Sequence, residues 1–256
     1  MSTSEREDAI DSYNKAIELK PDYYEAWYHR GSCLSVIGQD KEASESFNKA
    51  IEFKFDYYQA WYMRGLCLST LGRGEESVES YDKAIEFKSN YFDAWYHRGN
   101  SLVDLGRREE AIASYDKAIE INPDYHYAWD LRGDTLYDLG EYEKAIESYN
   151  KVIIVKPDYH YSWDSRGLAL AVLGRNEEAI VSYGKAIAIK PDCDEAWYHR
   201  ACCHSTMGNL ELALEDLTIA FRLDPEHCRQ LATTDTDLDP LRSHPSFIAL
   251  MESLEP

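Results

Sequence analysis

The sequence predicts an all-α solenoid, and three observations carry that prediction. Tryptophan falls at Trp27, Trp61, Trp95, Trp129, Trp163 and Trp197, each 34 residues after the last, and the chain has no others. Each 34-residue interval holds two apolar patterns of helical period. Glycine punctuates every interval at one place, from Gly38 to Gly208. A period of this length marks stacked supersecondary units, each burying its apolar face on its neighbours.

Counting each repeat from Tyr24 as position 1, full copies run 24–57, 58–91, 92–125, 126–159, 160–193 and 194–227. The first helix carries Trp at position 4 and Gly at position 8 (Gly31, Gly65, Gly99, Gly133, Gly167), replaced only by Ala201. A missing side chain there lets the partner helix approach closely, offsetting a helix-propensity cost of about 1 kcal/mol. Glycine at position 15 suits a helix end that needs a left-handed residue.

The second helix carries small residues at position 20 (Ala43, Ser77, Ala111, Ala145, Ala179, Ala213) and aromatics at 24 (Phe47, Tyr81, Tyr115, Tyr149, Tyr183), with Leu217 departing. Position 27 is Ala50, Ala84, Ala118, Val152, Ala186 and Ala220. This spacing makes one apolar stripe. Pro21, Pro123, Pro157, Pro191 and Pro225 mark repeat ends. The residue after each slot up to Pro191 (Asp22, Asp56, Asn90, Asp124, Asp158, Asp192) is expected to cap the next helix, with Glu25, Gln59 and Glu195 completing capping boxes.

The ladder Trp163, Gly167, Gly174, Ala179, Tyr183, Ala186 and Pro191 resembles the tetratricopeptide-repeat family over about residues 5–227. The resemblance implies a right-handed superhelix of antiparallel helix pairs. In such arrays the first helices line a concave groove that binds peptides or extended protein segments. Residues 1–23 read as a half repeat: Ala9, Tyr13, Ala16 and Pro21 match only a second helix. That helix either caps the N-terminus or ends a longer array. Residues 228–256 lose the register, and Leu231, Leu238, Leu241, Phe247, Leu250 and Met251 are expected to cover the last repeat.

Residues identical in every copy serve what all copies share, which is packing. Arg30, Arg64, Arg98, Arg132, Arg166 and Arg200, all at position 7, are therefore read as scaffold, paired with carboxylates or stacked on aromatics. In the family the groove is lined by positions 2, 5, 9, 12 and 13. Carried over, these slots give as ligand candidates Tyr28, Tyr62, Asp93, Tyr96, Asn100, Asp104, Tyr127, Asp130, Asp134, Tyr137, Asp138, Tyr161, Asp164, Glu195 and Tyr198. The full set of slots holds no Lys or Arg, and its acids crowd between Asp104 and Asp164. An acidic face with tyrosine rungs suits an extended basic segment, since Tyr offers rigid area and a face that attracts cations. Family members that dock acidic chaperone tails grip them with Lys, Asn and Arg. Tyr, Asp and Ser stand here instead, so such a tail is not an expected partner.

The net charge of −20 argues against nucleic acid and anionic membrane surfaces. No apolar run is long enough to insert in a membrane. The N-terminal segment lacks the basic and apolar regions of a signal peptide. Cys33, Cys67 and Cys203 share one repeat position, reading as a small buried slot, and the expected compartment is cytoplasmic. His199, Cys202, Cys203 and His204 superficially suggest metal, but His204 lies about 100° round the helix from the face shared by His199 and Cys203. No phosphate loop or nucleophile motif occurs, so neither catalysis, metal nor cofactor is expected. The sequence reads as a protein-binding scaffold. The alternatives are self-association into a homo-oligomer, or a regulatory or targeting arm of a larger protein.

Overall fold

In the computed structural model, which describes residues 3–252, every described regular element is helical. Two compact units divide the chain, Met1–Asp124 and Tyr125–Pro256. The first holds α1 (Thr3–Leu19) and three helix pairs: α2 (Tyr24–Val36) with α3 (Asp40–Phe53), α4 (Tyr58–Thr70) with α5 (Gly74–Phe87), and α6 (Phe92–Asp104) with α7 (Arg108–Ile121). The second holds α8 (His126–Asp138) with α9 (Tyr142–Val155), α10 (His160–Val172) with α11 (Asn176–Ile189), and α12 (Asp194–Thr206) with α13 (Leu210–Leu223). It continues into α14 (Pro225–Thr234), a 3-10 helix (Thr236–Leu241) and α15 (Pro245–Glu252).

Small residues and rings at fixed positions explain the pairing. A Cβ built on Gly65 would stand 2.6 Å from Tyr81 Cε1, so the tyrosine ring fills the space a side chain would need. Where the ring is absent, at Leu217, the facing residue is Ala201, and both are buried in one core. The glycines ending the first helices all have φ between +70° and +79°, the left-handed turn expected of them.

Four of the position-7 arginines, Arg30, Arg64, Arg98 and Arg166, link their own helix pair to the helix before it. Arg30 donates from Nε to Asn14 Oδ1 at 2.8 Å on α1 and from Nη1 to Ser46 Oγ at 2.5 Å on α3. Arg98 makes the same fork to Asp82 and Ser114, and Arg166 to Asn150 and Ser182. The guanidinium groups of Arg30, Arg64, Arg98, Arg132 and Arg200 also face the position-4 indoles, as in Arg98 at 5.9 Å from the Trp95 ring. The scaffold reading of these arginines holds.

The expected capping boxes do not form. The N-cap residues are Tyr23, Tyr57, Tyr91, Tyr125, Tyr159 and Cys193, one position later than the predicted Asp or Asn, and no side chain caps them. The Pro–Asp step lies in the preceding turn, closed by the indole instead: Trp27 Nε1 donates to the Pro21 carbonyl at 2.9 Å, and Trp163 to Pro157 at 3.0 Å. Side chains do cap beyond the last helix pair, where Asp224 and Asp235 accept from the backbone N–H of His227 and Asp237.

The two ends bury their stripes differently. On α1, Ala9, Tyr13 and Ala16 are half-buried, whereas the matching Ala43, Phe47 and Ala50 are fully buried. At the other end, Cys228, Ala232, Leu238, Leu241 and Phe247 share a core with Ala213, Leu217 and Phe221. No described helix is long and apolar enough to cross a membrane.

Candidate protein-interaction site

In the first unit the candidate residues stand on the first helices of each pair, among aromatic clusters. Tyr28 lies 5.0 Å from the Tyr57 ring, and Tyr62 repeats this against Tyr91 at the same distance. Tyr96 stacks on Phe92 at 6.0 Å. Asn100 accepts a hydrogen bond from the Tyr115 hydroxyl at 2.9 Å. Asp93 and Asp104 are exposed.

A cation already lies against these clusters, which the sequence reasoning missed. Lys54 Nζ sits 4.7 Å from the Tyr24 ring and 5.7 Å from that of Tyr57, and Lys88 sits 4.7 Å from Tyr58 and 5.0 Å from Tyr91. Burial pushes the Tyr57 hydroxyl up to about 12. The signal was available: Lys20, Lys54, Lys88, Lys156 and Lys190 share one repeat position.

In the second unit the acids of α8 dominate. Asp130, Asp134 and Asp138 follow one another at four-residue steps and so share a helix face. Asp134, Tyr137, Asp138, Tyr149, Ser165 and Leu168 line a cavity of about 160 Å³. The Tyr149 hydroxyl donates to Asp134 Oδ1 at 2.8 Å. Asp134 reaches solvent yet is crowded by protein. Desolvation, then the charges of Asp130 and Asp138, push its carboxyl up to about 6 against the lowering hydrogen bond from Tyr149. Tyr127 and Tyr161 are open rungs, 42% and 55% exposed. Asp164 faces His199 Nδ1 at 3.3 Å, and Glu195 is exposed beside the Cys193 thiol.

Two candidates are corrected. Asp130 is only 8% exposed and accepts from Ser162 Oγ at 2.5 Å, so it braces α8 against α10 rather than facing a ligand. Tyr198 is 2% exposed because the C-terminal segment covers it, its hydroxyl donating to Asp235 Oδ2 at 2.9 Å. A contact from repeat to tail carries no periodic mark, which is why the slot pattern misread it.

The metal-like run on α12 is occupied otherwise. His199 is engaged with Asp164, and burial pushes the Cys203 thiol up to about 12 and that of Cys202 higher, so both hold their protons. The six cysteines are unpaired. Asp194, Asp224 and His227 also cluster, but His227 Nδ1 lies 3.1 Å from Asp194 Oδ2 as an internal partner.

Comparison with known proteins places this architecture. Tetratricopeptide-repeat family models match residues 24–57, 92–125, 114–147 and 194–227, and a further TPR-repeat model matches 2–34, 69–106, 133–172 and 167–202. No curated protein matches the chain. Among solved structures, YrrB, described as a TPR protein with an unusual peptide-binding site, is 24% identical over 73% of this chain and 96% of its own, with a TM-score of 0.66. MamA is 25% identical over 63% of this chain and 94% of its own, with a TM-score of 0.61. The C-terminal part of a TPR repeat-containing protein from Cytophaga hutchinsonii is 19% identical over 93% of this chain and 95% of its own, with a TM-score of 0.76. With repeat models matching along most of its length and the helix pairs that those models describe, the chain belongs to the tetratricopeptide-repeat family and is a protein-interaction scaffold.

Proposed function

We propose that this scaffold binds an extended, basic protein segment along the first-helix faces, without catalysing a reaction. The cavity bounded by Asp134, Asp138, Tyr137 and Tyr149 carries this reading. Its two carboxylates offer a cation paired hydrogen-bonding acceptors, and its rings offer apolar walls and cation-attracting faces. Tyr127 and Tyr161 extend the surface on α8 and α10. The fixed helices pre-organise these groups, so little ordering cost falls on the receptor. A reducing, cytoplasmic setting fits the unpaired cysteines.

The test is a peptide array of basic, neutral and acidic extended sequences, probed at low and high salt. Wild-type protein is expected to retain basic peptides preferentially, with retention falling as salt rises. The variant with both Asp134→Asn and Asp138→Asn is expected to lose that preference. Equal retention of all three classes by wild type sinks the reading.

A second reading, self-association, is favoured by one observation. Ala9, Tyr13 and Ala16 on α1 are only half-buried, on a stripe that is fully buried in α3. Light scattering over a dilution series separates the two, because a monomer at every concentration removes self-association and leaves peptide binding untouched.

A further inference from the structure

Beside the acidic cavity of α8 lies a second, larger one of about 530 Å³, and Leu168 lines both. Its apolar wall is Leu168, Ala171 and Val172 on α10, and its far side is formed by α12 and by Asp235 and Asp237 of the segment after α14. This segment is firmly anchored. Asp235 accepts from the Tyr198 hydroxyl at 2.9 Å, from the Cys202 thiol at 3.4 Å and from the Asp237 backbone N–H at 3.0 Å. Leu238 and Leu241, in the 3-10 helix, are fully buried.

Asp237 lies between those anchors with a different character. It is exposed, and its carboxyl is raised by desolvation and by the charge of Asp235, with no cation among the groups acting on it. Asp235 already accepts from three donors of the protein, whereas the Asp237 carboxylate is exposed and lines the cavity. A cationic side chain entering here would rest its aliphatic stem on Ala171 and Val172.

The two cavities are reached from one helix. The first adds residues of α8 such as Asp138, the second residues of α12 such as Cys202, and Leu168 lies between, so passing from one to the other crosses α10, a step on the order of the 8–10 Å between packed helix axes. An extended peptide covers that span in roughly three to four residues, with alternate side chains on one side. Three side chains at i, i+2 and i+4 would therefore address the first cavity, Leu168 and the second cavity in turn.

We propose that the C-terminal segment is part of the binding site as well as a cover for the last repeat. Asp237 receives a second cation of the same bound segment, so the preferred ligand carries two Lys or Arg residues flanking an apolar one at alternate positions. This rests on the basic-segment reading above and narrows it to a ligand pattern.

The test uses the whole chain and labelled Ser/Ala peptides carrying Lys-Ser-Leu-Ser-Lys or the same motif with either or both Lys changed to Gln, read by fluorescence anisotropy. The two-lysine peptide is expected to bind tightest. Asp237→Asn is expected to weaken it by about threefold, the size of one partly screened ion pair, and to bring it level with one of the single-lysine peptides. Asp237→Glu keeps the charge and is expected to keep the preference. If Asp138→Asn weakens the two-lysine peptide and Asp237→Asn leaves it unchanged, the role of Asp237 is overturned while the basic-segment reading stands. If the peptide binds no better than its all-Gln counterpart, that reading falls and takes this inference with it.

Discussion

The ring of Tyr115 occupies the space that Gly99 leaves empty: a Cβ at Gly99 would stand 2.5 Å from Tyr115 Cε1. The repeat with Leu217 in place of the ring carries Ala201 at the facing position, so the two sites vary together inside one chain. Gly99→Ala is therefore expected to destabilise. Overpacking costs about 1–3 kcal/mol, against a helix-propensity gain of about 1 kcal/mol. Adding Tyr115→Leu should recover part of the loss, though it removes the hydrogen bond to Asn100. Urea unfolding of both variants decides it, and a Gly99→Ala protein as stable as wild type would refute the packing account.

The repeated arginines do not all do the same work. Arg200 grips Asp216 with two bonds of 2.7 Å, and Asp216 is only 5% exposed. Arg166 reaches the neutral side chains of Asn150 and Ser182. Arg200→Met strands a buried carboxylate and is expected to cost about 3 kcal/mol or more. Arg166→Met loses hydrogen bonds to neutral groups and the attraction of the exposed Glu178, about 1–2 kcal/mol. Asp216→Asn added to Arg200→Met should return much of the difference. Equal losses at the two arginines in denaturant melts would contradict this.

How much of this was legible in the sequence depends on whether a feature recurs. Gly99 facing Tyr115, Arg98 forked between neighbours and the left-handed glycines recur every 34 residues, so the copies explain one another. The family slots did place Asp134 and Asp138 at a cavity. They failed at Tyr198 and Asp130, which are buried in part by contacts no other repeat supplies: Tyr198 against Asp235 of the tail, and Asp130 against Ser162, where the other repeats carry Ala. Asp237 lies outside the register altogether. Asp22 failed as a cap for a local reason: the turn it occupies ends one residue before the helix does begin.

His227 is expected to titrate above its ordinary value of 6.5, because its hydrogen bond to Asp194 favours the imidazolium, with the charges of Asp194, Asp224 and Glu195 adding to this. Its contribution to stability is complete below the unfolded value and is lost as pH rises through the folded one. The ring is substantially solvated, so the effect on stability is small. The NMR titration of this histidine is the direct measure. Asp194→Asn should lower its midpoint, and an unmoved midpoint would show that the pair does not form.

Asp134 is expected to trade stability for binding. Its folded carboxyl lies at about 6 against an ordinary 3.8, so between those values the folded state holds more protons than the unfolded one. Stability consequently falls as pH rises through that window, and the ionised carboxylate is a cost to the fold at neutral pH. Asp134→Asn removes that cost without losing the local bond, because Asn100 at the same repeat position accepts from Tyr115 at 2.9 Å just as Asp134 accepts from Tyr149 at 2.8 Å. The variant should melt higher than wild type at pH 7.5, with the gap closing toward pH 4, while binding basic peptides more weakly at neutral pH. Wild-type affinity for those peptides should itself decline as pH drops through about 6, where Asp134 takes up its proton. Thermal melts of both proteins across that range, set beside peptide affinities at the same pH values, test the two halves together. A variant less stable than wild type at pH 7.5 would mean that the charge is held by the Tyr149 hydroxyl more strongly than burial opposes it.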